Sequence, residues 1–150
     1  MEIKKVDQSG LKFIANEEGL RLKPYLDSVG IPTIGIGCTY YEDGTRVKMS
    51  DPPISEERAY QLFSNLLQHY EKGVWSSTRD DINQNQFNAL VSLCFNIGVG
   101  NFRSSTLLKR INTDKDDPSI KAAFEMWRNA GTRKGILLKR RQREAALYFS

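Results

Sequence analysis

The sequence has little of what small reactive centres are often built from. Its two cysteines, Cys38 and Cys94, are too few and too far apart for a metal cage or a disulfide framework. They read as reduced thiols, with Cys94 a small buried hydrophobe. A single histidine, His69, argues against a His-rich metal site or a Ser-His-Asp triad, and its polar helical surroundings predict a solvated ring. Long apolar runs are missing as well. Stretches such as Ile136-Leu137-Leu138 fall far short of the roughly 20 apolar residues of a membrane-spanning helix. The segment Met1–Gln8 carries charges but no apolar h-region, so it does not read as a signal peptide. A protein of this kind acting beyond the cytoplasm would need a separate agent to release it.

What is present is a globular composition: 150 residues, 39% hydrophobic and 27% charged. That length makes one ordinary domain or two lobes, with a core that needs no covalent staples. The net charge of +4 is unevenly spread. From Trp127 onward there are seven Lys or Arg residues and one Glu, whereas the first 126 residues carry 15 basic and 17 acidic groups. A mildly acidic body with a cationic tail points to an anionic partner such as nucleic acid, a membrane surface or a cell-wall polymer, without choosing among them. Nucleic acid is not expected, because no zinc pattern or recognition-helix motif accompanies the charge.

Local patterns predict an α+β chain. Residues 9–19 read as a short helix with Ser9 as N-cap and Gly19 as its stop. Arg21–Asp27 and Ile31–Gly37 read as short strands around a Ser28-Val29-Gly30 turn, with a further turn at Asp43-Gly44. Pro24 and Pro32 cannot donate ladder hydrogen bonds and predict irregular pairing. Beyond Asp51-Pro52-Pro53 the chain turns helical. Ser55-Glu56-Glu57 starts a helix over about 55–72, with Ala59, Leu62, Phe63, Leu66, Leu67 and Tyr70 on one face. A second helix spans about 83–96, turns Phe87, Leu90, Val91, Cys94 and Phe95 inward, and stops at a Gly-rich segment through Gly100. Shorter helices are predicted near 104–112, 119–129 and 136–149.

Three side chains between residues 18 and 33 could carry chemistry: Glu18 at a helix end, Asp27 at a strand end and Thr33 in the next strand. Glycosidic hydrolysis needs one carboxyl group to protonate the leaving oxygen and a second, ionised one across the sugar. The two must sit in different environments. At 100° per residue, Leu11, Ile14 and Glu18 fall within about 60° of one another, so Glu18 projects from an apolar stripe that would favour the protonated acid. Glu17 lies on another side, nearer Phe13. Taken alone, Asp27 also reads as a turn residue bonding nearby amides, and Thr33 as an ordinary strand residue.

Glu18-Gly19-Leu20-Arg21-Leu22, then Tyr25, Asp27, Gly30 and Thr33-Ile34-Gly35-Ile36-Gly37, closely resemble the active-site region of the phage-type lysozymes, glycoside hydrolase family 24, the T-even phage lysozyme-like endolysins. Gln86–Gly100, Ser104–Leu108 and Arg143–Phe149 extend the resemblance over nearly the whole chain. It implies one lysozyme domain over 1–150. A small β lobe would occupy about 20–54, and a larger helical lobe about 55–150 together with the N-terminal helix. The helix at 55–72 would link them, and the substrate cleft would lie between. The substrate would be bacterial peptidoglycan, cut at the β-1,4 bond between N-acetylmuramic acid and N-acetylglucosamine with inversion, to lyse the host. Glu18 matches the proton donor, Asp27 the carboxylate that activates water or stabilises the transition state, and Thr33 the residue that positions that water. Inversion implies that Glu18 and Asp27 stand far enough apart to admit water. No metal or organic cofactor is implied, a monomer is the default, and release from the host cytoplasm would pass through a holin.

Other residues stay open at this stage. Ser105 and Thr106 are candidates for substrate binding, though Ser104, Ser105 and Thr106 equally suit a helix N-cap. Arg21 could pair with a carboxylate near the site. Where T-even phage members carry a histidine after the second glycine of Gly-x-Gly, this chain has Cys38, a candidate oxidation liability. In the tail, Lys139, Arg140, Arg141 and Arg143 surround Leu137, Leu138, Ala145, Ala146 and Leu147. That pattern fits either a helix docked with its charges solvated or one with affinity for an anionic wall or membrane surface. Two rival functions remain: a lytic transglycosylase, which would have no evident use for Asp27 and Thr33 together, and a non-enzymatic cationic binder needing only the tail.

Overall fold

The computed structural model describes Glu2–Ser150 and divides into two compact units, Leu11–Gln68 and the residues up to Gly10 with His69–Ser150. Helix α1 (Gln8–Glu18) starts a residue ahead of the expected Ser9 cap. The acceptor at its start is Asp7, whose Oδ1 receives the Gly10 amide at 2.9 Å and the Ser9 hydroxyl at 3.0 Å. A carboxylate is the stronger acceptor, so the serine donates to it instead of capping. Leu11 and Ile14 are buried, as the stripe predicts, and Ala15 is buried beside them.

Within the unit Leu11–Gln68, β1 (Arg21–Leu26) pairs antiparallel with β2 (Pro32–Gly35). Arg21 faces Gly35 and Tyr25 faces Thr33, so β1 carries a bulge between its two partners. Pro24 lies inside that bulge, where its missing N–H leaves no ladder position unfilled. The expected Asp43-Gly44 turn forms: the Thr45 amide donates to Asp43 Oδ1 at 2.9 Å, under a bridge between Tyr40 and Arg46. Helix α2 (Glu56–Trp75) is capped by Ser55 Oγ, which accepts the Arg58 amide at 3.0 Å, and it runs past its expected end at 72. Exposed His69 sits on it, as predicted. The unit's core joins Ile34, Cys38, Val47 and Leu62, with Tyr41, Ile54 and Leu66 packed against them. Each fully buried aliphatic there contributes about 1.5–3 kcal/mol. Gly35 takes φ +68°, a backbone conformation that favours glycine, at the strand end that lies against Ala59 of α2.

In the other unit, α3 (Gln84–Ile97) opens with a capping box in which Asn83 Oδ1 accepts the Gln86 amide and Gln86 Oε1 accepts the Asn83 amide. Every residue from Gln86 to Cys94 is buried, polar Asn88 and Ser92 included. The expected stop beyond it is only a break. Past Gly98 the chain forms α4 (Val99–Arg103), because burying Phe102 rewards one more turn. Helices α5 (Thr106–Thr113), α6 (Ile120–Glu125) and α7 (Leu138–Tyr148) follow, with α6 ending four residues short of its expected 129. Helix α7 packs on α3 and α6.

The tail reading needs correction. Arg140 and Arg141 are not solvated: they are 7% and 0% exposed and converge on fully buried Glu144. Arg141 Nε lies 2.7 Å from Glu144 Oε1 and Arg140 Nε 3.3 Å from Oε2, while the Ser92 hydroxyl donates to Oε2 at 2.5 Å. Arg140 also donates to the Ser92 carbonyl at 3.3 Å. Burial pushes the Glu144 carboxyl up, against the downward pull of Arg141, the Ser92 hydroxyl and Arg140. These charges bind α7 to α3, so they are not available to an outside surface.

Candidate active site

Glu18, Asp27 and Thr33 all fall in the unit Leu11–Gln68. Glu18 is the last residue of α1. The Gly19 amide closes the helix on the Ala15 carbonyl at 2.8 Å, and a positive φ turns the chain away into β1. The helix therefore ends at the carboxyl-bearing residue, three positions before the sheet starts. Glu18 is half-buried, and so is Glu17, so burial does not separate the two as the apolar stripe predicts.

Asp27 lies just past β1 and organises the hairpin. The Gly30 amide donates to its carbonyl at 3.0 Å, and its own amide donates to the Ile31 carbonyl at 3.0 Å. This is a three-residue loop whose last member, Gly30, takes φ +85°. The carboxylate reinforces it: Oδ1 accepts the Val29 and Ile31 amides, each at 2.9 Å. Both bonds fall on one oxygen. The turn role expected of an aspartate here is real, and it occupies only half of the carboxylate.

Thr33 is 2% exposed and sits opposite Tyr25 in the sheet. Its hydroxyl donates to the Ile31 carbonyl at 2.8 Å, the same oxygen that receives the Asp27 amide. One residue, Ile31, thus links both side chains, through its N–H to Asp27 and its carbonyl to Thr33. Sequence reasoning gave Ile31 no part, since its contribution is entirely backbone. With its proton committed, the Thr33 oxygen keeps lone pairs for accepting a hydrogen bond.

Arg21 and Tyr25 complete this surface. The expected carboxylate partner for Arg21 is not what the structure shows: its guanidinium lies 4.7 Å from the centre of the Tyr25 ring. Burial pushes the Tyr25 hydroxyl up; the Arg21 charge opposes this, while Asp27, Cys38 and Glu18 add to it. The phenol therefore sits in the combined field of both candidate carboxylates.

Cys38 is buried beneath the sheet, with its thiol directed at the Ile36 carbonyl at 3.8 Å. Burial pushes it up to about 11, so it is a protonated core group and not the oxidation liability its place in the motif suggested. Cys94 is likewise buried and raised to about 12. Ser105 and Thr106 belong to the other unit. Ser105 is 3% exposed and caps α5: its Oγ accepts the Leu108 amide at 3.1 Å and donates to the Phe102 carbonyl at 2.7 Å. Thr106 next to it is half-buried.

The family profile described as phage lysozyme matches residues 15–144. The endolysin of Salmonella phage P22 is 43% identical over 145 residues, covering 97% of this chain and 98% of its own. A crystal structure of a P22 lysozyme mutant superposes with a TM-score of 0.90 at 42% identity, covering 97% of this chain and 99% of that one. The muramidase domain of SpmX from Asticaccaulis excentricus aligns with a TM-score of 0.79 at 31% identity, covering 97% and 98%. The chain belongs to the phage lysozyme family, and it is a glycoside hydrolase of the muramidase type that acts on peptidoglycan.

Proposed function

We propose that Glu18 protonates the leaving oxygen of the β-1,4 bond between N-acetylmuramic acid and N-acetylglucosamine, while Asp27 activates the attacking water. The observation that carries this reading is the one-sided tethering of Asp27. Two amides hold Oδ1, which fixes the carboxylate without occupying Oδ2. A base fixed in this way is oriented before substrate arrives. Thr33 positions the water by accepting one of its hydrogens, since its own hydroxyl proton is committed to Ile31. Water attacking the face opposite the leaving group inverts the anomeric centre. Of the two candidates for substrate binding, Thr106 is the better, because the Ser105 hydroxyl is taken up by the α5 cap.

The test is mass spectrometry of purified peptidoglycan after digestion, with NMR of the new anomeric centre. The wild-type protein is expected to release reducing-end muropeptides that appear first as the α anomer, and Glu18→Gln to release none. Anhydro-muropeptides would make the protein a transglycosylase, and a first-formed β anomer would remove water from the role assigned to it.

The protein acts as a monomer that lyses the host from within, held in the cytoplasm until a holin opens the membrane; no helix among the described residues is long and apolar enough to cross it alone. Its affinity for an anionic wall or membrane surface comes from Arg128, Arg133, Lys134 and Lys139. These four are exposed, and none has an ion-pair or side-chain hydrogen-bond partner among the described residues. The bridge between Ala130 and Arg133 and the bond from the Gly135 amide to Asn129 Oδ1 at 2.8 Å order the segment that carries them. Reversing Arg133 and Lys134 to Glu should weaken wall binding several-fold at low salt, with the difference shrinking as salt rises. Binding that is the same at every ionic strength would exclude this surface.

A further inference from the structure

We infer that Arg21 is a specificity-determining residue: its stacked guanidinium binds a carboxylate on the muramoyl substituent of the substrate, so the enzyme favours charged glycan over neutral glycan. The inference rests on the assignment of Glu18 and Asp27 above. Among the arginines of its unit, Arg58 is already taken, since its two terminal nitrogens contact Glu42 Oε2 and Oε1 at 2.5 and 2.8 Å. Arg46 lies over Tyr40, on a separate bridge beyond β2. Arg21 is exposed and has no carboxylate partner among the described residues. The ring it covers belongs to Tyr25, the cross-strand neighbour of Thr33.

Stacking leaves the chemistry of a guanidinium unspent. The ring attracts its face, while its five N–H donors lie in the plane and point outward. The stack also restrains a long side chain, so less freedom is lost when those donors engage an anion. A planar fork of this kind matches a carboxylate in two-point contact. The ring under the fork lies opposite Thr33 in the sheet and two positions before Asp27 in the chain, which puts the fork on the same hairpin as the proposed base. The ionised Asp27 nearby would repel an anionic substrate, and Arg21 offsets that repulsion at the point of entry. On a muramoyl residue the carboxylate belongs to the peptide stem where one is attached, because the stem is joined to the lactyl carboxyl as an amide, and to the lactyl group where the stem is absent. Either presents a carboxylate to Arg21.

The test uses soluble glycan strands in three forms: bearing peptide stems, bearing stems with every carboxylate converted to the methylamide, and stripped of stems by an amidase so that the lactyl carboxylate is free. Wild-type, Arg21→Gln and Arg21→Lys proteins are compared. On stem-bearing strands Arg21→Gln should lose about tenfold in kcat/KM, mostly through KM. On methylamidated strands it should match the wild type. Arg21→Lys should recover part of the charge effect but not the two-point contact. Because each variant is judged by its ratio across substrates, a loss of folded protein cancels. Persistence of the tenfold loss on stripped strands means that the freed lactyl carboxylate also engages Arg21, and its disappearance there restricts the contact to the stem carboxylates; either supports the proposal. An equal loss on charged and methylamidated strands would overturn it. Failure of the Glu18 and Asp27 assignment would be seen separately, as Glu18→Gln retaining hydrolysis on all three forms.

Discussion

Asp27 and Glu144 are both carboxylates held by several hydrogen-bonding groups, but the groups differ in kind. Asp27 is half-buried and is held by two backbone amides, both on one oxygen. Glu144 is fully buried and is held by two guanidiniums and a serine hydroxyl distributed over both oxygens. Amides donated by a tight turn orient a charge without neutralising it, and they leave an oxygen for a reactant. Arginines fixed in a core neutralise the charge and use up its coordination. One arrangement suits chemistry and the other suits architecture, although both residues look alike as letters in a sequence.

The contrast can be broken first at the site. Asp27→Asn keeps an oxygen for the Val29 and Ile31 amides, so stability should stay within about 0.5 kcal/mol of wild type. Hydrolysis, by contrast, should fall by about 10²–10⁴ in kcat, measured on soluble glycan. If the variant instead unfolds more easily and keeps its rate, Asp27 is a turn residue only. The mirror experiment is Glu144→Leu, which removes from buried Arg140 and Arg141 the carboxylate on which both converge. Urea unfolding should show a loss of about 3–5 kcal/mol, with kcat unchanged at temperatures where the variant is folded.

The smallest effect belongs to an exposed carboxylate that does a structural job with no cation nearby. Burial raises Asp7, but the Gly10 amide and the Asn88 and Ser9 side chains outweigh it and hold the carboxyl below its ordinary 3.8. Asp7→Ala should cost about 1 kcal/mol near neutral pH. A carboxyl lowered by folding contributes stability above its unfolded value, and that contribution is lost as pH falls through the lowered one. The gap between wild type and Asp7→Ala in urea unfolding should therefore close on acidification. A gap that stays constant down to about pH 2 would mean the effect is helix propensity, not the carboxylate.

Much of the fold was legible because its signals are local. The Asp27–Gly30 turn, the Ser55 cap on α2 and the Asn83 cap with Gln86 on α3 are each decided by residues within four positions of one another. The candidate site was legible for the same reason, since Asp27, Ile31 and Thr33 are joined across one tight hairpin. Misplacements arose where a local pattern had two readings. Ser9 and Asp7 both suit a cap, and the carboxylate won. Gly98 and Gly100 suit a stop, yet burial of Phe102 drew the chain into α4. Arg21 suits an ion pair, and the Tyr25 ring, four positions further along the same strand, took it instead.

By itself, then, the sequence determined the turns, the caps, the order of elements and the spacing of Glu18, Asp27 and Thr33, because backbone hydrogen bonding over a few residues sets them. Tertiary structure alone decided which charges face water. Arg140, Arg141 and Glu144 stand three and four positions apart, the spacing of a solvated helix face. Only the packing of α7 on α3, which brings Ser92 against Glu144 across 52 positions of sequence, turns that face inward. Helical spacing specifies which residues share a face, whereas burial depends on what lies opposite, and that partner is distant in the chain.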